Sequence, residues 1–342
     1  MELTFDLNTI WFLLIGALLS GYAILDGFDL GVGMLHLFVK EDEERRTMIN
    51  SIGPVWDGNE VWLVTGGGAL FAAFPHVYAT VFSGFYDAFI LLLFMLIFRA
   101  VAIEFRSKQT MLWWRKMWDI AFSVASFLIA LLMGVALANI ITGIPIGPDK
   151  EFTGTFLSLI NPYTVLVGVT TVALFMMHGA IYSVMKTDGD LQKKLRGWVN
   201  NTIIFFVICY ATVTMTTLIY YPHMVENFRE VPVLFIVALL NMLAIANIPR
   251  EISKGREFRA FISSAASIAA LLLLFAIGIF PNIVFSNSNP EYSLTLYNAA
   301  SSEKTLTIML IIALIGIPFV FAYTITIYWI FRGKVKIDEM SY

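Results

Sequence analysis

Two short stretches place carboxylates where the surrounding chain is apolar. Residues 53–68, GPVWDGNEVWLVTGGG, carry Asp57 and Glu60 just ahead of three consecutive glycines, and residues 21–35, GYAILDGFDLGVGML, carry Asp26 and Asp29. The members of each pair are three residues apart, which puts them on one side of a helix. Glu104 follows an apolar run that contains Arg99, and Asp119 stands early in the next such run. A file of carboxyl groups tuned by burial to titrate near neutrality can hand protons on in hops, which isolated ion pairs cannot do. The competing account is structural: Asp57 and Glu60 sit near the positive N-terminal end of their helix, and Arg99 neutralises another acid. Each acid taken singly fits either account, and their grouping favours the relay.

Other chemistries are poorly supplied. Of four histidines, His36, His76 and His223 fall near the ends of apolar runs or between them, where histidine is commonly an interfacial polar group. His178, in FMMHGAIY, lies well inside a run. A lone histidine in a helix is more often hydrogen-bonded than ligating, and the neighbouring Met176 and Met177 are the kind of residue that fills cores. No two histidines stand three or four apart. The single cysteine, Cys209, excludes a disulfide framework and any cysteine-based metal motif. The glycines Gly66, Gly67 and Gly68 are not a phosphate loop, because no Lys-Ser or Lys-Thr follows them. The residues therefore suggest no metal and no cofactor on this chain.

The elements that would hold these acids follow from composition. Of 342 residues, 58% are hydrophobic and 14% charged, against about 25% charged in soluble domains, so the solvent is a bilayer. A spanning helix needs about 20 apolar residues. Nine runs qualify, over roughly 9–38, 55–75, 78–104, 114–143, 161–185, 199–221, 231–249, 258–280 and 304–332. Short polar stretches join them, leaving no room for a folded soluble domain, so residues 1–342 read as one transmembrane domain. The N-terminus lacks the features of a cleaved signal, and the first run is expected to be retained.

Orientation comes from lysine and arginine. Alternate connections and the C-terminal end collect all but three of the 22 basic residues, leaving Lys150, Arg229 and Lys304 on the other side. The excess marks the cytoplasm, which puts the N-terminus outside and the C-terminus inside. The expected fold class is thus an all-α polytopic membrane protein of about nine helices. In that frame Asp26, Asp29, Asp57, Glu60, Glu104 and Asp119 share the cytoplasmic half. Each ionised group would cost on the order of 3 kcal/mol facing lipid, so they must face protein or water. Gly27 and Gly31, four apart, offer a small face for close helix approach, and Gly66, Gly67 and Gly68 either do the same or loosen the second helix.

GYAILDGFDLGVGML, INSIGPVWDGNEVWLVTGGGALFAAFP with YATVFSGFY after it, and RAVAIEFRSK together resemble the signature segments of subunit II of cytochrome bd quinol oxidases. The resemblance is dense over the first hundred residues and continues through helix number, loop charge and stretches such as NPYTVLVGV. It implies a non-heme subunit in a bacterial or archaeal cytoplasmic (inner) membrane. Its partner would be a heme-bearing subunit I that holds two b-type hemes and heme d, with quinol and O2 as the substrates of the complex. It also implies a terminal oxidase in which quinol is oxidised near the outer face and O2 is reduced to water with cytoplasmic protons. In the family the aspartate of Trp-Asp-Gly-Asn belongs to a proton route at the subunit interface; here it is Asp57, with Trp56 and Asn59 beside it and Arg99 as a supporting cation. Asp26 and Asp29 match the Asp-Gly-Phe-Asp aspartates. Glu60 stands where many relatives have glutamine, which leaves it without a family role, and Glu104 stands where aspartate is common. The resemblance leaves open a quinone bound in this subunit, a small single-helix third subunit and the path of oxygen.

A different class competes with the oxidase. A cation-coupled secondary transporter or ion channel would also use mid-membrane acids and a glycine-interrupted helix. Internal repetition between halves would be expected of it, and no second copy of the Asp-Gly or Trp-Asp-Gly-Asn segments occurs.

Overall fold

Helix starts are written in the sequence. Asp6 caps α1 (Leu7–His36), its side chain accepting from the Thr9 amide at 2.8 Å. Asn161 and Pro162 open α7 (Pro162–Lys186) with a capping box to Thr164, and Ser302 caps α12 (Glu303–Ile330). These residues satisfy amides that a helix leaves orphaned. A computed structural model of the chain describes residues 6–337. Between these three helices lie α2 (Asp42–Ile52), α3 (Trp56–Ala73), α4 (Pro75–Gly84), α5 (Tyr86–Phe105), α6 (Leu112–Thr142), α8 (Gly189–Tyr220), α9 (Glu226–Glu230), α10 (Phe235–Ser253) and α11 (Glu257–Ile279). A small antiparallel pair, β1 (Asn282–Val284) and β2 (Leu294–Thr295), is an exception to the all-α expectation.

Among the described residues, eight helices are long and apolar enough to cross a membrane: α1, α5, α6, α7, α8, α10, α11 and α12. The run expected over 55–75 is α3, whose first turns are occupied by Asp57, Gly58, Asn59 and Glu60 and whose apolar character is diluted accordingly. Its 18 residues rise about 27 Å, close to the roughly 30 Å of a bilayer core. The run expected over 78–104 is two helices. Pro75 ends α3 by driving Phe74 out of helical geometry (φ −131°, ψ 66°), and a second break at Phe85 separates α4 from α5. Two further differences lie on the polar side. α2 is a separate amphipathic helix that the hydropathy reading passed over, and α8 begins ten residues before the expected 199, because Leu191, Leu195 and Val199 repeat at four-residue spacing and are buried.

α7 is the centre of the bundle. It packs against α6, α8, α1 and α11, while α1 also touches α3 and α6, α5 lies on α6, and α10 pairs with α11. The α1–α7 crossing is a backbone contact: a Cβ on Gly31 would run into the Phe175 carbonyl oxygen and lie 2.7 Å from Gly179 Cα. Gly27 faces the Phe175 ring, where a Cβ would come to 2.8 Å. Gly66 is close to Leu19. A Cβ on Gly67 or Gly68 would meet nothing within 4 Å, so of the two readings of these glycines, close approach to another helix of this chain holds for Gly66 and not for Gly67 or Gly68.

One core joins α1, α2, α5, α6, α7, α8, α10 and α11, with Phe28, Ile49, Phe122 and Met177 fully enclosed. A second, around Trp11, Phe74, Ile146 and Leu294, lies under the cap formed by residues 143–160 and 281–301. α12 is peripheral. It packs on α1 and α3, and none of its most apolar stretch is buried. Its ends are tied instead. Trp11 donates to the Leu306 carbonyl at 3.0 Å, and at the other end Lys186 Nζ donates to Phe331 while Lys334 Nζ donates to Met185 at 2.9 Å, each lysine closing the carbonyl end of the other's helix. Burial in this clasp holds the Lys334 ammonium below the ordinary lysine range.

Candidate functional site: two buried acid clusters

The acids form two clusters rather than one file. In the first, α1 presents Tyr22, Asp26 and Asp29 at positions i, i+4 and i+7, a single helical stripe. Arg99 of α5 meets Asp26 through two nitrogens, at 2.8 and 2.7 Å, with both side chains wholly buried. The same guanidinium donates to Glu60 of α3 at 3.0 Å. Such two-pronged arginine–carboxylate contacts are among the stronger polar contacts in proteins. Asn59 donates to Asp29 at 2.8 Å and to the Leu25 carbonyl at 3.1 Å, and its oxygen accepts from the Tyr328 hydroxyl of α12 at 2.8 Å. Asn59 and Glu60 thus turn inward from one turn of α3. Asp57, on the same turn, is exposed on this chain and makes no hydrogen bond among the described residues. Trp56 is buried beside it.

The second cluster closes the bundle where α1, α2, α5 and α6 end or begin. Asp119 of α6 accepts from Arg106 at 2.5 Å and from Arg45 at 2.9 Å, and it lies 2.6 Å from His36 Nε2. Arg106 and Arg115 both reach Asp42 at 2.7 Å. Asp119 is therefore ringed by three basic groups and stands apart from the Asp26–Arg99 cluster. His36 is wholly buried here instead of lying at an interface, as its position near a helix end suggested. Glu104 is half-buried and bonds to neither cluster among the described residues.

Sequence reasoning missed Tyr22, Tyr328, His36 and Arg106. Tyr22 was legible, standing four residues before Asp26. Tyr328 was not, since its partner is 269 positions away.

Three of the four histidines are taken up by partners within the chain, and His76 is exposed. His178 has both ring nitrogens committed, Nε2 donating to the Ile24 carbonyl at 3.0 Å and Nδ1 accepting from the Ser264 hydroxyl at 2.7 Å, while its ring stacks on Phe261. Met177 is enclosed in the core. His36 is taken up by Asp119, and His223 by the Ile141 carbonyl. Among the described residues no three His, Cys, Asp or Glu side chains converge as a metal site.

Known proteins share this chain's sequence and fold. The family described as cytochrome bd terminal oxidase subunit II matches residues 7–331. The chain is 36% identical to cytochrome bd-I ubiquinol oxidase subunit 2 of Escherichia coli (strain K12), covering 98% of this chain and 97% of that one. It is 37% identical to cytochrome bd ubiquinol oxidase subunit 2 of Bacillus subtilis (strain 168), covering 98% and 99%. A solved structure of bd oxidase from Geobacillus thermodenitrificans shares the fold, with a TM-score of 0.76 at 15% identity over 95% of this chain and 98% of the other. A secondary transporter is thereby set aside. This multi-pass inner-membrane chain belongs to the cytochrome bd terminal oxidase subunit II family, whose members are subunits of a terminal quinol oxidase.

Proposed function

We propose that this chain is the heme-free subunit of its oxidase, that it supports a heme-bearing subunit I, and that it admits cytoplasmic protons for the reduction of O2 to water. The hemes of subunit I supply the electron path and the oxygen site; the two b-type hemes and heme d are assigned to that subunit. Its docking face on this chain is the side formed by α3, α5 and α12, where Val64, Phe71, Phe94 and Phe319 are exposed and α12 lacks a covering neighbour. In this reading α3 is the ninth span, with the N-terminus outside and the C-terminus in the cytoplasm, as the basic residues suggest.

The observation that carries the proton reading is the contrast within one turn of α3. Asp57 is exposed on the proposed docking face and has no partner among the described residues, while Glu60, three residues on, is half-buried and bonded to Arg99. Asp57 is placed to take protons from cytoplasmic water where the two subunits meet. Glu60 is joined to the buried Asp26 through Arg99, and Glu104 follows Arg99 on α5, nearer the cytoplasmic end in this reading. Arg99 holds Asp26 in place through two hydrogen bonds, which positions its carboxylate beside Glu60 in the relay.

Purification of a tagged chain from its native membrane tests the assembly. Co-purification of a second polypeptide with the heme d absorbance band is the expected result. A solitary, colourless protein would refute the reading.

A further inference from the structure

The corner between α2 and α3 leaves a backbone carbonyl without its helical partner. Gly53 donates to Ile49 and Val55 donates to Ile52, at 2.9 Å each. Pro54 has no N–H with which to continue the helix, and the Val55 amide, which would have closed the next turn on Ser51, is taken by Ile52. The Ser51 carbonyl is thus one of the orphaned acceptors of a helix C-terminus, on a residue that is 2% exposed. Tyr182 of α7 supplies the donor, its hydroxyl reaching the Ser51 carbonyl at 2.8 Å. Stacking on Phe28 of α1 aims the ring, with centroids 3.9 Å apart and planes 19° from parallel. Further along, Asn59 makes a second tether, to Asp29 and to the Leu25 carbonyl of α1. Between Ser51 and Asn59 only Pro54, Asp57 and Gly58 are exposed. Asp57 therefore stands on a short segment pinned on both sides to buried helices.

We infer that Tyr182 is a positioning residue for proton entry: by holding the Ser51 carbonyl it fixes the α2–α3 corner, and with it the place where Asp57 meets subunit I and cytoplasmic water. The inference rests on the proposed role of Asp57. The first half of α2 is held independently, by ion pairs of Asp42 with Arg106, Glu44 with Lys194 and Arg45 with Asp119. Loss of the Tyr182 hydroxyl therefore frees the corner and not the whole helix. Phenylalanine at this position keeps the ring that stacks on Phe28 and leaves the buried carbonyl unsatisfied. The corner relieves this by turning the carbonyl toward another donor, which moves Asp57.

Turnover per heme d as a function of pH, measured on the purified complex for Tyr182→Phe, Asp57→Asn and the double variant, tests the inference. Tyr182→Phe is expected to assemble with unchanged heme spectra and to turn over about twofold slower or more, as misplacing a reacting group does. Its rate should also begin to fall at a lower pH than the wild-type rate, because a hampered proton entry becomes limiting sooner as protons grow scarce. The double variant should be no slower than Asp57→Asn, since the placement of a carboxyl group that is gone no longer matters. A wild-type rate in Tyr182→Phe, or a slower rate with the wild-type pH profile, would overturn the inference. Additive losses in the double variant, or failure of Tyr182→Phe to assemble, would overturn it as well, making the hydroxyl a folding group. In each of these cases slowed turnover in Asp57→Asn would leave the role of Asp57 standing. Wild-type turnover in Asp57→Asn would overturn both.

Discussion

Asp26 and Arg99 form a two-bond ion pair of 2.7 and 2.8 Å that has no exposed atom on either side chain. The pair joins α1 to α5, helices that otherwise meet mainly through α6. Removing one member of a buried pair leaves an uncompensated charge, at a cost of about 3–5 kcal/mol. Arg99→Leu is therefore expected to lower the yield of assembled, heme-containing complex and its melting temperature. Arg99→Lys should recover only part of this, because an ammonium cannot reproduce the two-pronged contact. Asp26→Asn should behave like Arg99→Leu. Full assembly with slowed turnover in Asp26→Asn would show instead that Asp26 carries protons.

Asp57→Asn should slow oxygen consumption several-fold while the heme spectra of the complex stay unchanged. The side chain is exposed and makes no hydrogen bond among the described residues, so none is lost when the charge is removed. Oxygen-electrode turnover per heme d is the measurement, and wild-type turnover in the assembled variant would rule Asp57 out of the proton route.

Gly31→Leu should abolish assembly, since the new side chain would meet the Phe175 carbonyl oxygen and the Gly179 backbone, which cannot turn aside as a flexible side chain could. Gly67→Ala is the paired control. Nothing in this chain lies within 4 Å of it, and alanine is favoured over glycine in a helix by about 1 kcal/mol. Intact co-purification is expected for Gly67→Ala if subunit I leaves room for a methyl group there. A specific loss of subunit I would place the partner's backbone against α3 at that point.

Asp119→Leu should destabilise the end of the bundle where α2 and α6 begin, leaving buried Arg106 and its neighbours without their shared carboxylate, again by about 3–5 kcal/mol. Turnover per assembled heme d should be unchanged, since three basic groups hold Asp119 apart from the other acids. A marked fall in that ratio would return Asp119 to the relay.

Tyr328→Phe removes the bond from α12 to Asn59, for which a cost of about 1 kcal/mol is typical. Differential scanning fluorimetry of the complex should show a small fall in melting temperature, and a large fall would mean that the aromatic hydroxyl holds α12 in place almost alone.

The sequence by itself determined the solvent, the approximate spans and the family, because a bilayer demands long apolar helices whatever their packing and because the Asp-Gly-Phe-Asp and Trp-Asp-Gly-Asn segments are distinctive as strings. It also determined Arg99 as a candidate partner for an acid, since a guanidinium inside an apolar run must be neutralised somewhere. Which acid it meets was decided only in three dimensions. Asp26 and Arg99 are 73 residues apart, as are Arg115 and Asp42, and no periodicity within one helix relates side chains on different helices. Tertiary packing likewise separated Asp119 from the other acids and turned His36 inward. It also left Asp57 exposed beside a paired Glu60, although their spacing of three puts them on one side of the helix, because only the placement of α1, α5 and α12 around α3 decides where along that side the cover begins.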